Sequence, residues 1–128
     1  MKFLGVIPTR ATMYSAGYDL RASKTFQVMP GAVQQIPTGT YLEMDSDTCG
    51  LVRGRSSMSM KGRIVLEGTV DADYDGEVIV ALFNSTSEPF IVHVGDKIAQ
   101  IVFVPYRIWH DEEPVATIRN GGFGSTGR

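Results

Sequence analysis

Gly68-Thr69-Val70-Asp71-Ala72-Asp73-Tyr74-Asp75-Gly76-Glu77 leads without a break into Val78-Ile79-Val80-Ala81-Leu82-Phe83, and this junction decides the fold. The second half is an apolar run rich in β-branched side chains and reads as a strand. The first half is turn chemistry: Gly68 and Gly76 bracket it, and Asp73-Tyr74-Asp75-Gly76 favours a reversal. The expectation is a tight hairpin that projects acidic side chains into a cleft. Five carboxylates, Glu67, Asp71, Asp73, Asp75 and Glu77, fall within eleven residues, yet no Lys or Arg occurs between Ile64 and Asp96. Neighbours in sequence therefore offer these acids no ion pair.

The same punctuation extends outward. Met1 to Ile7 is strand-like and ends at Pro8; Phe26 to Met29, Ala32 to Ile36, Tyr41 to Met44, Leu51 to Arg53, Ile64 to Leu66, Phe90 to Val94 and Ile98 to Val104 are further short strands. Turn pairs such as Pro30-Gly31 and Gly95-Asp96 separate them, a pattern that predicts an all-β sandwich or barrel. No window keeps a helical apolar period for three turns; the best short candidate is Ser57 to Lys61. The last eight residues hold four glycines and one large apolar side chain, Phe123. The division expected is a β domain over residues 1–117 and a flexible glycine-rich arm over residues 118–128.

With 128 residues, 43% of them hydrophobic, the chain suits one domain with a real core. A net charge of −2 and a pI near 5.6 argue against a broad nucleic-acid or membrane face, leaving room for a local basic pocket. The single cysteine, Cys49, precludes an internal disulfide and reads as a bystander thiol. No signal-type stretch opens the sequence and no apolar run reaches membrane-spanning length, so a cytoplasmic setting is expected.

The acidic stretch and three further stretches carry chemistry-bearing residues, each with a plainer reading beside it. Acidic turns such as Asp71 to Glu77 are often merely solvated. Asp71-x-Asp73-x-Asp75-Gly76 copies the first half of an EF-hand loop, but Leu82 stands where the bidentate Glu belongs. In Ser15-Ala16-Gly17-Tyr18-Asp19-Leu20, Asp19 alone reads as a turn cap. Gly54-Arg55-Ser56-Ser57 joins a guanidinium and two hydroxyls to a helix start, which suits a phosphate cradle or an ordinary Ser cap. In Gly95-Asp96-Lys97-Ile98-Ala99-Gln100-Ile101 the anomaly is Gln100, an amide in an apolar strand that needs partners if buried. His93 and His110 sit in no nucleophile or metal-ligand pattern, and no P-loop or zinc spacing occurs.

Taken in order with the glycine-rich tail Gly121-Gly122-Phe123-Gly124-Ser125-Thr126-Gly127, these stretches resemble the five signature motifs of the homotrimeric dUTP pyrophosphatases, or dUTPases, from Ser15 to Gly127. The resemblance implies a distorted jelly-roll β-sandwich, a homotrimer with active sites shared between subunits, and Mg2+-assisted hydrolysis of dUTP to dUMP and pyrophosphate. Asp71 resembles the residue that activates the attacking water at the α-phosphorus. Tyr74 resembles the ring packed under the deoxyribose, where it excludes a 2′-hydroxyl. Asp19 looks like the carboxylate that holds magnesium through water. Arg55, Ser56, Ser57 and Gln100 resemble the phosphate-binding set. Uracil in this family is read by main-chain groups around Leu66 to Thr69, Gly68 among them. Phe123 resembles the residue stacked on the base, with Gly122, Gly124, Ser125 and Thr126 wrapping the nucleotide.

The arm departs from the family pattern. An Arg usually precedes the stacking Phe by five residues; Ile118 holds that place and Arg119 lies four before Phe123, leaving Arg119, or Arg128, to meet the phosphates. Tyr106 to Pro114 matches no motif. Two rival functions belong to neighbouring classes. The related dCTP deaminases need a glutamate where this chain has Ala81, shortly before Asn84. A dUTPase-like regulatory protein that binds nucleotide as a signal to a protein partner is the other.

Overall fold

The computed structural model describes residues 1–117 and 119. Its elements are β1 (Lys2–Gly5), β2 (Gly17–Arg21), β3 (Phe26–Val28), β4 (Val33–Glu43), β5 (Thr48–Arg53), α1 (Ser56–Ser59), β6 (Arg63–Val65), β7 (Gly68–Val70), β8 (Glu77–Asn84), β9 (Phe90–Val92) and β10 (Lys97–Pro105). The all-β expectation holds, with α1 a single turn inside the expected Ser57 to Lys61 window extended back to Ser56. The strands form one sheet in the order β1-β4-β8-β6, a second in the order β2-β10-β5-β7, and a two-stranded ribbon β3-β9.

All the ladders are antiparallel, and among the described residues no two strands consecutive in the chain pair with each other. Each turn instead carries the chain from one sheet to another, as a jelly roll requires. This corrects the hairpin expected at Gly68 to Glu77. β7 pairs with β5 in one sheet while β8 pairs with β4 and β6 in the other, so the acidic stretch is a crossing between layers. The stretch Leu66 to Thr69 likewise leaves β6 in the first sheet and enters β7 in the second.

Two further boundaries moved. Ser15 to Leu20 was expected as a turn, but Gly17–Arg21 is a strand bonded to β10, with Leu20 fully buried. Ala32 to Ile36 and Tyr41 to Met44 were expected as separate strands, yet Val33–Glu43 is continuous through Pro37-Thr38-Gly39-Thr40. There the register to β8 slips between Pro37 and Tyr41, and Gly39 takes φ +71°. Side chains patch the slip: the Thr38 hydroxyl donates to the Val78 carbonyl at 2.6 Å, and the Glu77 carboxylate accepts the Gly39 N–H at 2.7 Å. One of the five acids of the crossing is thus a structural acceptor.

The core lies between the layers. Along β8 burial alternates, with Val78, Val80, Leu82 and Asn84 inward, the strand period of two. They meet Leu20, Ile36, Ile98 and Ile101, each 0–1% exposed. Burying such a side chain contributes about 1.5–3 kcal/mol. Asn84 is fully buried but satisfied, donating to the Val28 and Glu88 carbonyls and accepting from Thr86.

Candidate functional site

The chemistry-bearing residues gather in two clefts that share no wall residue. The first, of about 210 Å³, is built across β2 and β10 and brings together Asp19, Arg55, Ser56, Ser57 and Gln100. Asp19 and Gln100 are direct cross-strand partners in the antiparallel ladder, so their side chains share a face. This placement explains Gly17. Gln100 donates from Nε2 to the Gly54 carbonyl at 3.0 Å, which satisfies the amide the sequence left unexplained. Its Oε1 then lies where a Cβ on Gly17 would come within 2.1 Å, so position 17 must be bare.

Asp19 is not a turn cap. It is 8% exposed, its N–H bonds the Thr9 carbonyl at 2.8 Å, and its carboxylate stands between two cations, Arg55 Nε at 3.7 Å and Lys97 Nζ at 3.3 Å. Arg55 approaches Oδ1 and Lys97 approaches Oδ2; the Lys97 contact is an ion pair without hydrogen-bond geometry, so the buried Oδ2 accepts no hydrogen bond among the described residues. A buried charge persists only where it is paired or coordinated. Arg55 itself is extended, at φ −104° and ψ 136°, and occupies the cap position of α1 without a side-chain cap bond. The cap is therefore Arg55 and neither serine. Ser56 and Ser57 open the helical turn, where N–H groups have no partner within the helix.

The second cleft, about 610 Å³, opens on the layer crossing. It is lined by Thr69, Asp71, Ala72 and Asp73 of the crossing together with Ser46, Cys49, Tyr106, Thr117 and Arg119. Asp71 follows directly on β7 and is about half exposed. The cation that the local sequence lacked arrives from far along the chain: the Arg119 guanidinium reaches Asp71 at 2.5 Å and Asp73 at 3.2 Å. Arg119 thus sits with Asp71 and not with Arg55. Glu67 is paired as well, with Arg53 at 3.3 Å, beside a small groove that Gly68 lines. The absence of ion pairs inferred for the acidic stretch holds only locally.

Tyr74 lies beneath this cleft. It is 5% exposed, belongs to the core cluster, and its hydroxyl donates to the Glu77 carbonyl at 2.6 Å. The ring passes so close to Gly76 that a Cβ there would stand 2.6 Å from the Tyr74 hydroxyl oxygen. The Arg119 guanidinium carbon lies 5.7 Å from the ring centroid. Phe123, Gly124, Ser125 and Thr126 lie outside the described residues.

Sequence reasoning missed Ser46, Cys49, Tyr106 and Thr117. Cys49, read as a bystander, is in the cleft wall because β5 runs alongside β10 and β7. Tyr106 is tied to the Ser46 carbonyl through its hydroxyl. No local signal marks these residues; non-adjacent strands bring them together. Lys97, read as a turn residue, also belongs beside Asp19, and its register opposite Arg21 puts it there.

β2 and β7 are the outer strands of one four-stranded sheet, three inter-strand steps apart, roughly 14 Å at about 4.8 Å per step. Asp19 and Asp71 of one chain are thus far beyond mutual hydrogen-bond reach.

The dUTPase family model matches residues 5–128. A deoxyuridine 5'-triphosphate nucleotidohydrolase of Histophilus somni (strain 2336) is 41% identical, the match covering 95% of this chain and 87% of that protein. Its counterpart in Haemophilus influenzae (strain PittEE) is 39% identical over the same shares. The crystal structure of the dUTPase from Streptococcus mutans superposes with a TM-score of 0.80 at 25% identity, over 85% of this chain and 98% of that one. With the motif order, the jelly roll and the two clefts, these matches establish that the chain belongs to the dUTPase family.

Proposed function

We propose that the chain hydrolyses dUTP to dUMP and pyrophosphate, in active sites assembled from two or more copies in a homotrimer. The carrying observation is the separation of the two clefts. One holds phosphate-binding chemistry, the other an accessible carboxylate suited to activating water. A base must come within hydrogen-bond reach of the proton it takes, directly or through one water. A single chain with its base roughly 14 Å from its phosphate pocket cannot apply both to one nucleotide. Copies placed so that the acidic cleft of one faces the phosphate pocket of the next remove this difficulty. The shared site would be filled by symmetry.

In this reading Asp71 accepts the proton of the water that attacks the α-phosphorus. Arg119 must loosen from Asp71 as it does so, its guanidinium then turning to the phosphates. Arg55, Ser56, Ser57 and Gln100 hold the triphosphate, with the Arg55 fork on its oxygens. Gly68 and its neighbours offer main-chain groups to uracil. Tyr74, held by its bond to Glu77, supports the deoxyribose and leaves no space beside C2′. The arm of residues 118–128, with Phe123 on the base and Gly124, Ser125 and Thr126 around the phosphates, closes the site and excludes bulk water.

The donor set near Asp19 fits magnesium. Asp19 Oδ2 is a buried carboxylate oxygen that accepts no hydrogen bond and has the Lys97 ammonium at 3.3 Å, in a pocket that Arg55, Ser56, Ser57 and Gln100 also line. Mg2+ keeps most of its waters and binds through one or two carboxylates plus phosphate oxygens, which a single carboxylate in a phosphate pocket can serve. Bound there through water, it would neutralise charge on the triphosphate.

Pyrophosphate release from dUTP, dCTP, UTP and dTTP, with and without magnesium, tests the proposal. Magnesium-dependent release from dUTP alone is expected. No release from dUTP, or ammonia release from dCTP, overturns it.

A further inference from the structure

Behind the phosphate pocket lies another depression, of about 400 Å³, whose walls are cationic: Arg21, Arg55, Lys61, Arg63 and Lys97. Five of the chain's twelve Lys and Arg residues meet here, although the whole chain carries a net charge of −2. The local acids are few. Asp19 serves Arg55 and Lys97, and Asp96, the one carboxylate in the wall, is engaged by the His93 N–H at 2.9 Å. Arg21, Lys61 and Arg63 form no ion pair among the described residues.

The concentration is built into the fold. Arg21 and Lys97 are direct cross-strand partners of β2 and β10, and like charges placed opposite one another destabilise a ladder. Arg21 is held there by its bond to the Gly95 carbonyl at 2.8 Å. Arg63 is fixed by stacking on Phe90, its guanidinium carbon 4.2 Å from the ring centroid, which leaves the N–H edge free to donate. Beneath them Met58, Val92 and Ile98 form an apolar floor that strengthens any charge interaction above it. Held guanidinium forks with two ammonium groups nearby, over an apolar floor, suit a compact multivalent oxyanion.

We propose that this basic pocket is a second binding site for a small phosphoanhydride anion of the pyrophosphate class, separate from the substrate-phosphate pocket and sharing Arg55 with it. Arg55 and Ser57 line both depressions. An anion in the basic pocket competes for the Arg55 guanidinium and so weakens the grip on substrate phosphates, and by linkage bound substrate weakens the anion equally. The consequence is product feedback through KM: pyrophosphate in this pocket raises the KM for substrate, and saturating substrate relieves it. This step rests on the dUTP-hydrolysing reading; the anion site itself does not.

Calorimetric titration of the full chain with pyrophosphate, with and without a non-hydrolysable imido analogue of dUTP, decides the matter. Two pyrophosphates per chain are expected, one persisting when the analogue is bound. Lys61→Gln with Arg63→Gln should weaken the persisting one by roughly a hundredfold, about tenfold for each lost charge-assisted donor, and should straighten the upward-curved rise of KM with pyrophosphate that two sites produce. Lys61→Gln alone, at an exposed position, keeps the test readable if loss of the Arg63 stack unsettles the fold. A single pyrophosphate per chain that the analogue displaces completely overturns the proposal. Inorganic phosphate titrated in parallel should bind more weakly; equal affinity would overturn the pyrophosphate assignment. If the wild-type chain fails to hydrolyse dUTP, the functional reading falls while the stoichiometry still judges the site.

Discussion

The two clefts are built in opposite ways. Around Asp19 every group sits on a strand or against one. The carboxylate is 8% exposed, flanked by two cations and set opposite Gln100 by the ladder. Around Asp71 the backbone is a crossing between sheets, the carboxylate is about half exposed, and its cation comes from Arg119 near the end of the described chain. A cradle for a polyanion gains from groups already desolvated and fixed, because they cost no reorganisation when the ligand arrives. A group that must receive water and pass on a proton needs access, and rigid strands would deny it.

This contrast is sharpest for Asp71→Asn. The amide is nearly isosteric, Asp71 is about half exposed, and a positioned base contributes ~10²–10⁴-fold. Turnover should fall by that order with nucleotide affinity and melting temperature almost unchanged, as steady-state kinetics, equilibrium titration and a thermal melt would show. Retained turnover would remove Asp71 from the role of base.

Asp19→Asn should act on both stability and activity. It leaves Arg55 and Lys97 without their carboxylate, and breaking a buried pair costs ~3–5 kcal/mol. Because both cations are about a third exposed, solvent screening should reduce that to roughly 1–3 kcal/mol. Denaturant melts read the stability, and the magnesium dependence of turnover should weaken in parallel. A melt unchanged beside a lost magnesium response would make Asp19 purely a ligand.

Gly17→Ala probes the cradle's packing. The new methyl would meet Gln100 Oε1 at 2.1 Å and Gln100 Cβ at 2.9 Å, so the amide must leave its bond to Gly54. Such overpacking costs ~1–3 kcal/mol, and the phosphate pocket should loosen with it, seen as a raised KM. Gln100→Ala should raise KM with a smaller loss of stability.

Arg119→Ala should have the smallest effect on the fold. Its partners Asp71 and Asp73 are about half exposed, and ion pairs of this kind contribute ~0–1 kcal/mol. A melt shifted by more than that would show that Arg119 anchors the layer crossing. Its effect on turnover reports separately whether the guanidinium is needed at the phosphates.

Strand identity was legible in the sequence because it is local. The β-branched apolar run Val78 to Phe83 and glycine or proline at the boundaries follow from strand preference and from turn sterics. Misread segments were those where a neighbour overrode local preference. Pro37-Thr38-Gly39-Thr40 carries turn chemistry, yet β1 and β8 on either side, with the bonds from Thr38 and to Glu77, hold it in the sheet. Ser15 to Leu20 reads as a turn until β10 pairs with it.

The sequence by itself determined the chemical inventory: an acidic crossing with Asp71, a carboxylate at Asp19, an Arg-Ser-Ser unit, a lone strand amide at Gln100 and a glycine-rich tail, in an order that resembles one family. The tertiary structure decided which of these meet. Because every described ladder joins strands that are not neighbours in the chain, no local pattern could show Gln100 facing Asp19, Arg119 reaching Asp71, or four further cations converging with Arg55. Side-chain alternation and turn preference act over a few residues. The jelly-roll pairing that set these partners joins residues dozens of positions apart, and only burial of the shared core fixes it.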